Sequence, residues 1–287
     1  MKKGLVLEGG ALRGLFSAGV LDVLMENNIQ FDNVVGVSAG ACFGMNYVSG
    51  QIGRSIRYNI KYANDERYCS VKSLFKTGDL FGAQFCYHTL PNELDKFDEG
   101  AFIESPVPFY IVVTDVMTGE AGYHLVNDCS YNELEWIRAS ASLPIVSRIV
   151  EVDGGKYLDG GMSDAIPLKA SQTLGCEVNL TVLTQPRGYQ KSPVKGIPLI
   201  KYKYRDYPNM VNALKNRHLM YNDELDYCFE QEKAGVNFVI CPKSPLPIGR
   251  ICHDPLVMQE TYDLGRQEAI EQLPALIRFL DSFEKNK

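Results

Sequence analysis

At 287 residues, 45% hydrophobic and 22% charged with a formal net charge of −6, the chain has the composition of a soluble globular protein, either one large α/β domain or two small ones, able to bury a core without staples. With that acidic balance nothing points to nucleic acid as a bulk partner. The eight cysteines (Cys42, Cys69, Cys86, Cys129, Cys176, Cys228, Cys241 and Cys252) form no C-x-x-C pair, which argues against a structural zinc site and reads as free thiols in a reducing, cytoplasmic setting.

Met1-Lys2-Lys3 followed by apolar residues imitates a signal peptide, but Glu8 and Arg13 break the run too early for an h-region. No later apolar stretch is long enough to span a bilayer, so any membrane contact is expected to be peripheral. Gly4-Leu5-Val6-Leu7 reads as a buried strand ending in a tight turn at Glu8-Gly9-Gly10. A helical pattern follows over 15–26, with Leu15, Ala18, Leu21 and Leu24 at helical spacing and Asp22 and Glu26 marking a polar face. Val34-Val35-Gly36-Val37 is a second strand, and Ser38-Ala39-Gly40-Ala41 turns into another apolar helix reaching Tyr47. Strand, Gly-rich turn, helix, strand, turn, helix is the pattern of a parallel sheet with crossover helices.

The stretch 54–104 has no readable period, and the walls of any substrate pocket are expected to lie there. Further strands are expected at 109–114, 149–152, 156–158, 178–183 and 238–241. The tail over 259–283 reads as a helix with Leu276, Ile277, Leu280 and Phe283 on one face, kinked or restarted at Pro274. Between Val178 and Arg205 there is no acidic residue, while Arg187, Lys191, Lys195, Lys201, Lys203 and Arg205 alternate with Tyr189, Tyr202 and Tyr204. This loop-like segment, 187–205, is the candidate for peripheral contact with anionic lipid headgroups; the competing reading is a solvated loop without a partner.

Three short motifs carry chemistry. Gly36-Val37-Ser38-Ala39-Gly40 matches the nucleophile elbow G-x-S-x-G, and it lies between a strand and a helix as that motif requires. Glycines two residues either side relieve crowding around a strained serine, and the helix N-terminus beneath favours developing negative charge. Gly9-Gly10-Ala11-Leu12-Arg13-Gly14 follows the first strand and opens the first helix. Glycines there let backbone N–H groups approach an oxyanion, each worth about 2.7–4 kcal/mol of barrier. The glycine positions do not fit a dinucleotide loop, and no Lys-Ser/Thr follows as a P-loop needs. Asp159-Gly160-Gly161 closes the strand at 156–158; taken alone, Asp-Gly is a common turn.

In that order the three motifs resemble the patatin-like phospholipase family, especially its bacterial members. Val113-Thr114-Asp115 with Thr118-Gly119, and Arg138-Ala139-Ser140-Ala141-Ser142-Leu143-Pro144, support the resemblance, which covers about residues 4–170. It implies a three-layer α/β/α fold with a mostly parallel central sheet, in one domain over 1–287 whose part 171–287 completes the sheet and adds C-terminal helices. It also implies lipid acyl-ester hydrolysis of phospholipase A or lysophospholipase type, with Ser38 as nucleophile, Asp159 as base, and Gly9, Gly10 and Ala11 as oxyanion hole. Arg13 and Gly14 would support that loop. Ala11 departs from the pattern, which often has a third glycine there. No cofactor or metal is expected, and the oligomeric state is not readable.

A Ser–Asp pair is chemically workable: the carboxylate accepts the serine proton, returns it to the leaving alcohol and later activates water. Desolvation raises the carboxylate pKa and strengthens the base. Two alternatives stay open on sequence grounds. One is an acyltransferase through the same acyl-serine. The other is a Ser–His–Asp esterase using His253, the best placed of His88, His124, His218 and His253.

Overall fold

The computed structural model describes residues 1–284. Its strands are β1 (Lys2–Leu7), β2 (Asn33–Val37), β3 (Phe109–Asp115), β4 (Ala121–Val126), β5 (Val150–Val152), β6 (Gly155–Asp159), β7 (Cys176–Val182) and β8 (Asn237–Ile240). Its helices are α1 (Gly14–Glu26), α2 (Ala39–Val48), α3 (Arg54–Lys61), α4 (Val71–Thr77), α5 (Glu99–Glu104), α6 (Tyr131–Ser140), α7 (Leu168–Thr173), α8 (Ile197–Lys203), α9 (Pro208–Lys233) and α10 (Pro255–Glu284). A π-helical segment spans Phe85–Leu94, and 3-10 turns cover Ala11–Arg13 and Gly160–Met162.

The strands form one sheet in the order β5-β6-β3-β2-β1-β7-β8, with β4 also paired to β3. β1, β2, β3, β7 and β8 run parallel, and β4, β5 and β6 are antiparallel additions. Side chains alternate between two buried faces: Leu5 and Leu7 pack into the core shared with α1, α2, α6 and α10, while Val6 packs against Tyr221 and Leu225 of α9. The fold is three-layer α/β/α with helices on both faces.

β3 determines where the site lies. Its residues Phe109–Thr114 pair with β4 along one edge. The other edge is divided: Val112 faces Val37 of β2, and the next residue, Val113, faces Asp159 of β6. β2 turns away after Val37 and β6 takes over its place, which sets Ser38 beside Asp159.

Four expectations change. Asp22 does not mark a polar face. It is 2% exposed because α10 covers that side of α1, and its carboxylate accepts from Tyr262 Oη at 2.6 Å and Gly53 N at 2.9 Å. The C-terminal helix starts at Pro255 and runs unbroken through Pro274. The carbonyl that proline leaves without a donor belongs to Ile270, which is 54% exposed, so solvent can satisfy it. Leu276 and Leu280 are buried, but Ile277 is 38% exposed and lies off that face. The segment 187–205 is not all loop: it contains α8, and Tyr204 is buried with its hydroxyl accepting from Ile145 N at 2.8 Å.

α1 and α10 meet through glycines. A Cβ on Gly19 would lie 2.1 Å from Tyr262 O, and one on Gly265 would lie 1.9 Å from Phe16 O. Any side chain there drives two long helices apart. Gly265→Leu is expected to lower stability by about 1–3 kcal/mol or more, read as a fall in the urea midpoint; an unchanged midpoint refutes the close-packing account.

Candidate active site

The elbow is strained and then braced. β2 ends at Val37 and α2 begins at Ala39, so Ser38 alone reverses the chain, at φ 55° and ψ −115°. Positive φ is costly for serine and persists only where the surroundings fix it. A Cβ on Gly36 would stand 2.5 Å from Gly40 O, and one on Gly40 would stand 2.5 Å from Leu7 O. Both positions therefore require glycine for close backbone packing. Ser140 supplies the brace: its hydroxyl donates to Val112 O at 2.6 Å and accepts from Ser38 N at 3.0 Å.

Ser38 Oγ donates to Asp159 Oδ2 at 2.7 Å. The other carboxylate oxygen, Oδ1, accepts from Gly161 N at 2.8 Å, and Asp159 N donates to Ser142 O at 2.9 Å. Asp159 is 2% exposed. Burial raises its pKa above the ordinary carboxylate range, opposed by the Ser38 hydroxyl, the Arg217 charge, the Gly161 N–H and Arg250. Arg217 Nε donates to Gly161 O, tying α9 to the turn that follows the aspartate.

The glycine turn shares this cavity. Gly9, Gly10, Ala11 and Arg13 line it together with Ser38 and Asp159. The N–H groups of Gly9, Gly10 and Ala11 meet no acceptor among the described residues. Ala11 adopts φ 49°, so the third position takes the left-handed backbone despite its methyl. Gly14 abuts the start of α2, where a Cβ would come 2.7 Å from Ala39 Cβ. Arg13 makes no side-chain hydrogen bond among the described residues, and its buried Nε has no partner; its side chain faces the cavity. The turn is instead anchored by Glu8, 1% exposed, which accepts from Thr184 N at 2.5 Å and Tyr221 Oη at 2.6 Å.

A second, apolar cavity opens at Ser38, walled by α2, α3, the π-helical segment and α6 through residues such as Phe43, Tyr58, Leu90 and Ile137. No histidine lines either cavity. His253 Nδ1 bonds Ala63 O at 2.8 Å, while His88 and His124 pair with Glu135 and Glu133, each at 2.8 Å. His218 Nδ1 is buried without a partner. Among the described residues no group of three His, Cys, Asp or Glu is placed to hold a metal, all eight cysteines are free, and no helix is long and apolar enough to cross a membrane.

The sequence reading missed Glu8, Ser140, Lys191, Arg217 and Arg250 as site residues. Glu8 had a signal, being an acid at the end of an apolar strand. Ser140 had a weaker one, within Ala139-Ser140-Ala141-Ser142. Lys191 stands out in the sequence only as one cation of the basic segment 187–205, and Arg217 and Arg250 carry no signal at all.

The sequence profile of the patatin-like phospholipase family matches residues 5–171. The chain belongs to the patatin-like phospholipase family. It is therefore a carboxylic-ester hydrolase. A second profile, Domain of unknown function (DUF6363), matches residues 207–281. An uncharacterized Escherichia coli protein, YjjU, is 27% identical over 267 residues, covering 91% of this chain and 74% of its own. Lysophospholipase nte1 of Emericella nidulans is 30% identical over 186 residues, covering 61% of this chain and 11% of its own. The crystal structure of VipD from Legionella pneumophila overlaps 96% of this chain and 67% of its own, with a TM-score of 0.45 and 12% identity.

Because burial raises the Asp159 pKa above 3.8, the folded protein holds this proton more tightly than the unfolded chain does. The charged form thus costs stability, a cost that appears as pH rises through the interval between the two pKa values. Asp159→Asn is expected to melt above wild type at pH ~7, with the gap closing as pH falls towards the unfolded carboxylate value. A variant that melts lower at neutral pH contradicts this.

Proposed function

We propose that the protein hydrolyses lipid acyl esters with Ser38 as nucleophile and Asp159 as the single base. The observation that carries the reading is the 2.7 Å hydrogen bond from the Ser38 hydroxyl to a buried carboxylate, with no histidine between them. Asp159 takes the serine proton as Oγ attacks the ester carbonyl, and the N–H groups of Gly9, Gly10 and Ala11 receive the oxyanion. The carboxyl then gives its proton to the leaving alcohol, and finally activates the water that releases the acyl group. The apolar cavity takes the acyl chain. The fungal relative's name, lysophospholipase, fits this substrate class. The working unit is the whole chain as one domain, because β8 extends the sheet and α10 packs on α1.

Ser38→Ala is expected to abolish both turnover of short-chain p-nitrophenyl esters and labelling by a fluorophosphonate. Asp159→Asn is expected to lower kcat/KM by about 10²–10⁴, while alanine variants of His88, His124, His218 and His253 remain active. Labelling that survives in Ser38→Ala, or a folded but dead His253→Ala, refutes the dyad.

We also propose that α8 provides the peripheral membrane contact. Two cations of 187–205 bond to the protein's own groups at the surface: Arg187 pairs with Glu232 at 2.7 Å and Lys203 donates to Ile145 O at 2.8 Å. Leu199 and Tyr202 stay 66% and 73% exposed, beside Lys201. Cosedimentation with phosphatidylglycerol vesicles should exceed that with phosphatidylcholine and drop in Leu199→Asp; equal binding to both refutes the headgroup contact.

A further inference from the structure

Among the described residues Ile145 is the one β-branched side chain held in the left-handed backbone region, at φ 76°. That conformation is strained for isoleucine and persists only where neighbours impose it. The neighbour is α8, which holds both main-chain groups. Ile145 N donates to the hydroxyl of Tyr204, the residue capping α8, at 2.8 Å, and Ile145 O accepts from Lys203 Nζ at 2.8 Å. Two residues earlier, Leu143 lines both cavities at Ser38. A strained link therefore runs from α8 to the wall of the site.

On its other side the same segment is bound to the chain that follows α4. Leu80 N donates to Val146 O at 2.8 Å, and Arg148 N donates to Asp79 Oδ1 at 2.9 Å. Residues 145–148 thus lie between α4 and α8, and both helices leave large apolar side chains in solvent. Val71 and Phe75, one turn apart on α4, are 63% and 86% exposed; Leu199 and Tyr202 are the exposed pair on α8, and Ile145 is itself exposed. Cations stand among them. Lys76, Arg148 and Lys201 make no ion pair among the described residues, whereas Lys72 is taken by Glu66. The other carboxylates of this region are engaged, Asp79 by Arg148 N and Glu151 by Lys156. Exposed apolar side chains interspersed with unpaired cations, on a protein of net charge −6, complement the surface of an anionic bilayer.

We propose that α4 and α8 seat together on an anionic membrane surface, and that seating draws Lys203 away from Ile145 and so frees Leu143 at the site. The proposal rests on the α8 contact above and adds to it a second helix and a regulatory consequence. A lipid phosphate is a better partner for an ammonium than a neutral carbonyl, because both groups are then charged. With Lys203 turned to the lipid, one of the two bonds that impose the backbone of Ile145 is gone, and the strain relaxes by moving the segment. Leu143 stands in the wall of both cavities, so its movement changes both at once. In solution α8 restrains the site; on a membrane it releases it.

The experiment adds diether phosphatidylglycerol vesicles, which carry no ester to cleave, to enzyme turning over p-nitrophenyl butyrate. The substrate is soluble, so a change in rate reports on the enzyme rather than on substrate delivery. Phosphatidylglycerol is expected to raise kcat/KM about fivefold to a hundredfold, and diether phosphatidylcholine to leave it unchanged. Lys203→Gln is expected to be more active than wild type without vesicles and to lose most of the stimulation. Ile145→Gly adopts the same backbone without strain; it should bind vesicles and respond less. Phe75→Asp is expected to lower cosedimentation with phosphatidylglycerol, as Leu199→Asp does, and wild-type binding by Phe75→Asp overturns the two-helix seating. Vesicle binding without stimulation, or a Lys203→Gln indistinguishable from wild type, overturns the release while the α8 contact stands. Binding with no preference for phosphatidylglycerol overturns the α8 contact and the release together. Amide hydrogen exchange over 143–146 reads the release without substrate and should quicken on phosphatidylglycerol. Should the wild type show neither turnover nor fluorophosphonate labelling, the hydrolase reading falls, and unchanged exchange overturns the release independently.

Discussion

One edge of β3 is shared by two strands, and the pairing of Ser38 with Asp159 depends on that sharing. β2 hydrogen-bonds to the first part of the edge and β6 to the remainder, so the residue that ends β2 and the residue that ends β6 oppose adjacent positions of the same strand. Main-chain pairing fixes such positions far more tightly than a loop does. A serine and an aspartate separated by 121 positions are thereby held within one hydrogen bond. Much nearby structure serves this junction. Gly36 and Gly40 leave room for the strained elbow, and Ser140 ties it back to Val112 of β3. β4 occupies the opposite edge, so the main chain of β3 is paired on both sides.

The parallel strands and the elbow were legible because their signals are local. Short apolar runs marked β1, β2, β3, β7 and β8, and G-x-S-x-G marked Ser38. Asp159 was different: its turn is commonplace, and only the ordered set of three motifs singled it out. What stayed hidden depends on contacts distant in sequence. Asp22 follows helical spacing as a surface residue, and only the arrival of α10 with Tyr262 makes it a buried acceptor. β4 escaped because one of its faces is only partly covered, so Ala121–Val126 lacks the continuous apolar character of its neighbours. The 54–104 region resisted because it folds into short helices and a π-helical segment around a cavity, so its apolar residues face a space rather than one flat core. Lys191, Arg217 and Arg250 meet only in three dimensions, and no periodicity records that.

The surroundings of Ser38 are electrically lopsided. Towards α2, α3 and α6 the walls are aromatic and aliphatic; towards α9 and the loop before α10 they are cationic. The division follows the chain. The N-terminal part carries Ser38, the glycine turn and Asp159, and the later part closes the other side. Arg217 links the two directly, through its bond to the turn after Asp159 and its opposing effect on that carboxyl's pKa. The proton affinity of Asp159 is thus a balance between burial, which raises it, and nearby positive charge, which restrains it.

The glycine-to-glycine seating of α10 on α1 has a consequence for biosynthesis. Asp22 and the tyrosine that covers it are 240 positions apart. At about 5–20 residues per second, a ribosome needs roughly ten to fifty seconds to make that interval. Throughout that time the helix behind the glycine turn has one flank bare, with a carboxylate and apolar side chains wetted by solvent. A nascent chain therefore holds the elbow of Gly36 to Gly40 long before the scaffold around it is complete.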